Sequence, residues 1–148
     1  MSEIAKLSSK SAGDAGEYYV AYMLSRLGIS AALTTSGSSA VDIIATVNGA
    51  KSISIQVKGS WARSAPRQWT VGKHVPKASP DFFYVFCNMS EDINNNIAPT
   101  IYVVPSGQVA LTSTWHHQVP LFKIAACDDE KYLNRWDLIQ LALARTSS

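Results

Sequence analysis

Charge is scarce in this chain. Asp, Glu, Lys and Arg make up 16% of its residues, against a usual quarter, while 47% are hydrophobic. That balance excludes a disordered, self-repelling chain and predicts a folded domain with a sizeable core. Cysteine is scarcer still. The two present, Cys87 and Cys127, have no metal-type spacing, which argues against a disulfide scaffold or a zinc module and for reduced thiols in the cytoplasm. No stretch approaches the ~18 apolar residues that would cross a bilayer. The opening MSEIAKLSSKSAG lacks the apolar core of a signal peptide. Internal repeats and low-complexity tracts are absent. One local absence matters more than these. Between Gly59 and Pro80 there is no acidic residue, and Arg63, Arg67, Lys73 and Lys77 all fall there among Trp61 and Trp69.

The length of 148 residues predicts one domain over residues 1–148, with residues 1–10 loose. Ser11 reads as an N-cap, with Asp14 completing a variant capping box. The helix that follows runs to Leu27 and is closed by Gly28. Its apolar stripe is Val20, Met23, Leu24 and Leu27, and Glu17 lies on that stripe. An acid along a buried face needs a reason. Ile29–Thr34 reads as a short strand, and 35–39 as a loop.

Residues 40–58 carry the strongest pattern. Asn48-Gly49 between two β-rich runs is a hairpin signal. A two-residue loop would place Val41 opposite Gln56. A three-residue loop, Asn48-Gly49-Ala50, places Asp42 opposite Gln56 and Ile43 opposite Ile55. Only the second register leaves one face uniformly apolar: Val41, Ile43, Ala45, Val47, Ile53, Ile55 and Val57. The opposite face then gathers Asp42, Gln56 and Lys58 at one end.

Further on, a short strand is expected around Gln68–Val71. Phe82–Asn88 reads as a buried strand and Thr100–Val104 as another, ended by Pro105-Ser106-Gly107. Residues 91–98 read as a polar loop. Residues 108–127 give no assignment. A final helix is expected from Asp128 to Arg145, acidic at its start and basic at its end, with Leu133, Trp136, Ile139 and Leu143 inward. The order suggests an α/β or α+β mixed sheet with helices packed on it.

The cluster near Asp42 suits a hard cation. Magnesium takes oxygen ligands and keeps several waters. Asp42 offers a carboxylate, Gln56 a side-chain carbonyl and Val57 a backbone carbonyl. Lys58 could orient water or neutralise a phosphate, and Glu17 could join if its helix covers the polar face of the hairpin. His116-His117 invites a metal reading, but neighbours on a strand point to opposite faces. Cys87 reads as packing. Tyr18, Tyr19 and Tyr22 either line a subunit contact or cover the sheet. The basic stretch is either a DNA-contacting loop or a solvated loop whose Trp side chains fill the core.

These residues resemble the PD-(D/E)XK nuclease superfamily. Its pattern is a helix with Glu, an Asp at a strand start, then Glu-x-Lys on the paired strand. Glu17, Asp42 and Gln56-Val57-Lys58 match it in order, with Gln56 where the family usually has an acid. Gly-Glu before Tyr-Tyr-Val-Ala-Tyr-Met-Leu, Val-Asp-Ile-Ile and Ile-Gln-Val-Lys-Gly-Ser fit as well. The resemblance implies a restriction-endonuclease-like core, with a four-stranded or larger mixed sheet flanked by helices. It implies a magnesium-dependent DNA endonuclease, manganese substituting, that works as a homo-oligomer, dimer or tetramer. Glu17, Asp42, Gln56 and Lys58 would be catalytic, and Asp42, Gln56, the Val57 carbonyl and Glu17 would face the metal. Arg63, Arg67, Lys73 and Lys77 would meet DNA. The alternative is a catalytically silent nuclease-fold protein that binds nucleic acid or a partner protein.

Overall fold

The structure is a computed structural model, and it describes residues 8–35, 41–61, 67–72, 78–90, 94, 98–116 and 119–145. The first helix, α1 (Ser9–Arg26), begins earlier than expected. Its cap is Ser8 and not Ser11: the Ser8 hydroxyl accepts the Ser11 amide at 3.1 Å. Ser9 and Lys10, expected to be loose, are thus helical, while residues 1–7 lie outside the described residues. Gly28 closes the helix at φ 78°, where Ile29 N–H returns to the Leu24 carbonyl.

Strands β1 (Ser30–Leu33), β2 (Ile43–Thr46) and β3 (Ser52–Trp61) follow as an antiparallel meander. The hairpin register is the expected one, with Ile43 opposite Ile55 and Ala45 opposite Ile53. The ladder stops at Thr46–Ser52, so five residues turn rather than three. Side chains close that turn: Thr46 Oγ1 donates to the Lys51 carbonyl at 2.6 Å and accepts from Gly49 N–H at 3.0 Å.

Next come β4 (Gln68–Thr70), β5 (Phe82–Met89), β6 (Thr100–Pro105), α2 (Ser106–Thr112), β7 (Thr114–His116) and β8 (Val119–Lys123). A 3-10 turn (Ala126–Asp128) leads to α3 (Asp129–Tyr132) and α4 (Asp137–Ala144). The main sheet has the order β1-β2-β3-β5-β6 and is mixed, because β5 runs parallel to β3. A second sheet, β4-β8-β7, had no counterpart in the expectation.

Alternation along β5 explains its continuous apolar run. Phe83, Val85 and Cys87 point into one core with Val20, Leu24, Ile55, Val57 and Ile139. Tyr84 and Phe86 point into another with Trp69, Val104, Phe122 and Ile124. Helices α1 and α4 cover the first face and the small sheet covers the second. Burial raises the Cys87 thiol pKa and leaves it a packing group, whereas Cys127 is exposed.

The strand β6 ends at Pro105, as expected, and α2 begins directly at Ser106, in a stretch that gave no assignment beyond residue 107. One expectation is corrected here. The single helix over 128–145 is broken. Leu133 leaves the helix to bridge Tyr102, Asn134 turns to φ 52°, and its N–H donates to the Ile101 carbonyl. An edge carbonyl of β6 thereby wins the bond that a helix continuation would have used. Among the described residues no helix is long and apolar enough to cross a membrane.

Candidate active site

Asp42 sits just beyond the last β2–β3 pair and takes the place of one more. Its N–H donates to the Ile55 carbonyl at 2.9 Å, and its Oδ2 accepts the Val57 N–H at 2.8 Å. The Thr34 amide holds the Asp42 carbonyl at 2.9 Å, and the Thr34 hydroxyl holds the Val41 carbonyl at 2.6 Å. The backbone at Asp42 is therefore braced from both neighbouring strands, and the Val57 amide holds one carboxylate oxygen. On a strand, the N–H and C=O of one residue point to the same side. The Val57 carbonyl therefore faces the side on which its N–H meets Asp42, where the ladder has ended.

Glu17 arrives from α1. That helix packs on the apolar face of the hairpin, not on the polar face that the expectation required. It still reaches the site because it lies very close to β3. A Cβ on Gly16 would stand 3.3 Å from Val57 Cγ1, and one on Gly59 would stand 2.5 Å from the Ala12 carbonyl oxygen. The Trp61 indole N–H donates to the Ser8 carbonyl at 3.0 Å, which ties the end of β3 to the start of the helix. Glu17, one residue past Gly16, is thereby brought beside Asp42, and the two carboxyls perturb each other.

The electrostatics follow from this crowding. Burial, then the Asp42 charge beside it, raises the Glu17 pKa. Burial also raises that of Asp42, against the opposing pull of the Val57 amide and of Lys58. Burial lowers the Lys58 pKa, while Asp42 opposes that shift. The two groups act on each other in opposite senses, Asp42 raising the Glu17 pKa and Glu17 lowering that of Asp42. Two carboxylates from different elements thus stand beside an ammonium, and burial makes both reluctant to ionise. A cation beside them would favour the charged form of both.

The donor set fits a hard divalent ion. It offers the Glu17 and Asp42 carboxylates and the Val57 backbone carbonyl, all oxygen. Among the described residues, no three His, Cys, Asp or Glu side chains gather at one point. Further ligands here would have to come from Gln56 and Val57. Gln56 is half-buried and in register with Tyr84, as Lys58 is with Phe86.

With this geometry in hand, the fold is similar to that of a bacterial homing endonuclease, I-Ssp6803I. The TM-score is 0.63 at 18% identity, over 96% of this chain and 100% of that one. The likeness is one of fold. No protein-family model and no curated protein sequence matches the chain.

The site thus unites Glu17, Asp42 and Lys58, with Gln56 and Val57 on the same strand. The basic stretch is another matter. Arg63, Lys73 and Lys77 lie outside the described residues, as does His117. The Arg67 guanidinium grips Asp129 with two bonds, 2.9 and 3.1 Å, and donates to the Ile124 carbonyl at 3.3 Å. Trp69 is buried between the rings of Phe86 and Tyr102, as the core-filling reading of that stretch expects.

Sequence reasoning missed Gly59 and Thr34. A signal for Gly59 was available, since it follows Lys58 directly on a strand where glycine weakens pairing unless another backbone comes close. Thr34 had no such signal.

Proposed function

We propose that this protein is a metal-dependent DNA endonuclease of the PD-(D/E)XK type, hydrolysing phosphodiester bonds. One observation carries the reading. Asp42, held at the end of the mixed sheet by the Val57 amide at 2.8 Å, stands beside Glu17 from a separate element and beside Lys58. The fold likeness to a homing endonuclease supports it.

Asp42, Gln56 and the Val57 carbonyl would hold magnesium, or manganese in its place, with Glu17 adding to them. Such an ion supplies charge stabilisation at the phosphate. The chain's own residues do the rest. Asp42 is pre-aimed by the Val57 amide, so no reorganisation is needed on binding. Glu17 orients the attacking water. Lys58, its ammonium partly desolvated, lies where it can position that water or counter charge building on the phosphate. The water oxygen bonds to phosphorus as the P–O bond to the leaving oxygen breaks, and the proton lost by the water is balanced by the one the leaving oxygen takes up.

DNA is the partner, the cytoplasm the compartment and a homo-oligomer the working state, since one small site cuts one strand. Arg63, Lys73 and Lys77 are assigned to phosphates. Arg67 would share its guanidinium with Asp129 in that role.

Plasmid and branched DNA, incubated with magnesium, manganese or EDTA, provide the test. Wild type should cut only with metal. Asp42→Ala and Lys58→Ala should abolish cutting with the circular dichroism unchanged. If both variants cut like wild type, the assignment is wrong. Gln56 favours a second reading, a nuclease-fold protein that binds DNA or a partner protein without cutting. Metal-independent binding with no cleavage would select it.

A further inference from the structure

Helix α1 buries Ala12, Gly16, Val20 and Leu24 along one side. At 100° per residue, Tyr18 points about 180° away from their mean direction. Of the three tyrosines on this helix, Tyr19 packs against the core, while Tyr18 and Tyr22 are 65% and 55% exposed. Covering the sheet therefore accounts for Tyr19 alone. Asp14, Tyr18, Tyr22 and Arg26 follow one another at four-residue steps and form a single ridge across the outer face. The Arg26 guanidinium lies 5.8 Å from the Tyr22 ring centroid. An outer helix face is ordinarily polar, and this one presents two large rings and an arginine, the residue types enriched at protein interfaces.

The ridge is complementary to itself. It begins with an acid, ends with a base and carries a tyrosine at each of the two steps between. Reversed and laid alongside a second copy, Asp14 meets the partner's Arg26 and Tyr18 meets the partner's Tyr22. A twofold axis repeats both contacts, as an isologous interface requires. Two such four-step ridges side by side bring the helices across each other at about −50°, the commonest packing class. We propose that α1 is the homodimer contact of this protein, in this antiparallel register.

Asp14 already meets Lys10 at 2.8 Å, but that pair is exposed and within one helix. Such pairs contribute little, and one carboxylate accepts two cations. The same acid disfavours nucleic acid as the occupant, because Asp14 would face phosphates. The inference refines the homo-oligomer named above and does not depend on cleavage.

Sedimentation of the full chain across the micromolar range is the test. Wild type should dimerise. Arg26→Glu and Asp14→Lys should each weaken the dimer by at least about tenfold, through two like-charge contacts. An equimolar mixture of the two variants should regain wild-type affinity. In the mixed dimer the introduced acid faces the introduced base, and the remaining Asp14 faces the remaining Arg26. A wild type that stays monomeric would overturn the proposal. So would a mixture no tighter than either variant alone, or a dimer indifferent to both changes. Variants that lose DNA affinity at unaltered oligomeric state would assign the ridge to nucleic acid instead. Nicking by a monomer would sink this inference and spare the nuclease reading. A dimer that never cuts would do the reverse.

Discussion

Gly59→Ala is the most exacting perturbation of this fold. The added Cβ falls 2.5 Å from the Ala12 carbonyl oxygen, 3.0 Å from its carbon and 3.3 Å from Gly13 Cα. A carbon and a carbonyl oxygen approach no closer than about 3.3 Å, so the gap must open by roughly 0.8 Å. Both obstacles are backbone, and no rotamer change relieves them. Either α1 lifts off β3 or β3 bends. Overpacking of this kind costs about 1–3 kcal/mol, or about 3–10 °C in Tm for a chain of this size. Glu17 stands five residues along the same helix, about 7.5 Å away, and moves with it. Displacing a reacting group by about 1 Å can cost about 100-fold in rate. Gly13→Ala is the control. Its Cβ would meet nothing within 4 Å, and alanine in a helix interior gains about 0.5–1 kcal/mol over glycine. Urea unfolding of both variants, with cleavage assayed where both are folded, checks the pair. A Gly59→Ala protein as stable as wild type would refute the close-approach argument. A destabilised variant that still cut at the wild-type rate would uncouple α1 from the site.

Two further predictions concern charge and packing. The folded pKa values of Glu17 and Asp42 are both raised, so their favourable contribution is full below the ordinary carboxylate range, near pH 4, and is lost as pH rises through the raised values. At pH 7 the pair therefore destabilises the fold. Asp42→Asn, which keeps an acceptor for the Val57 amide, should raise Tm at pH 7 and leave it unchanged near pH 3.5. Equal shifts at both pH values would deny the buried charge. Phe122 stacks on Phe86 at 4.8 Å between rings in the second core, and Phe122→Ala should cost about 3–5 kcal/mol in a single transition. Two calorimetric transitions would show instead that the small sheet unfolds by itself.

How much of this was legible in the residues follows from where each signal lay. The hairpin register was readable because alternation leaves one answer for Val41 through Val57, and a slip would have exposed the whole apolar set. Glu17 stood out as an acid beside a buried stripe. The burial of β5 on both faces was visible in FFYVFCN. One failure was local: the Ser8 cap took the role expected of Ser11, and both are serines followed three residues later by a polar partner. The others were non-local. The break at Leu133–Trp136 depends on β6 offering the Ile101 carbonyl, which no local pattern encodes. The second sheet joins Gln68–Thr70 to Val119–Lys123, strands too short and too far apart to announce their pairing. The apolar periods and the site's chemistry are local, whereas the partners that end or brace each element are not.

Gln56 gives that distinction its sharpest use. The PD-(D/E)XK pattern has an acid here, yet burial already raises the pKa of both Glu17 and Asp42, with the Val57 amide and Lys58 opposing it at Asp42. A third carboxylate would add repulsion among groups that burial has already made reluctant to ionise. Its gain would come only with a cation, where an anion and a divalent ion attract by roughly 8 kcal/mol at about 4 Å before desolvation is subtracted. Gln56→Glu should therefore lower Tm in EDTA at pH 7 and enlarge the rise in Tm that magnesium or manganese produces. The two shifts are linked, because both arise from one added charge at one place. A variant with unchanged Tm in EDTA would show that residue 56 does not face the carboxylate pair. A lower Tm with no larger metal response would show that the pair does not face a metal.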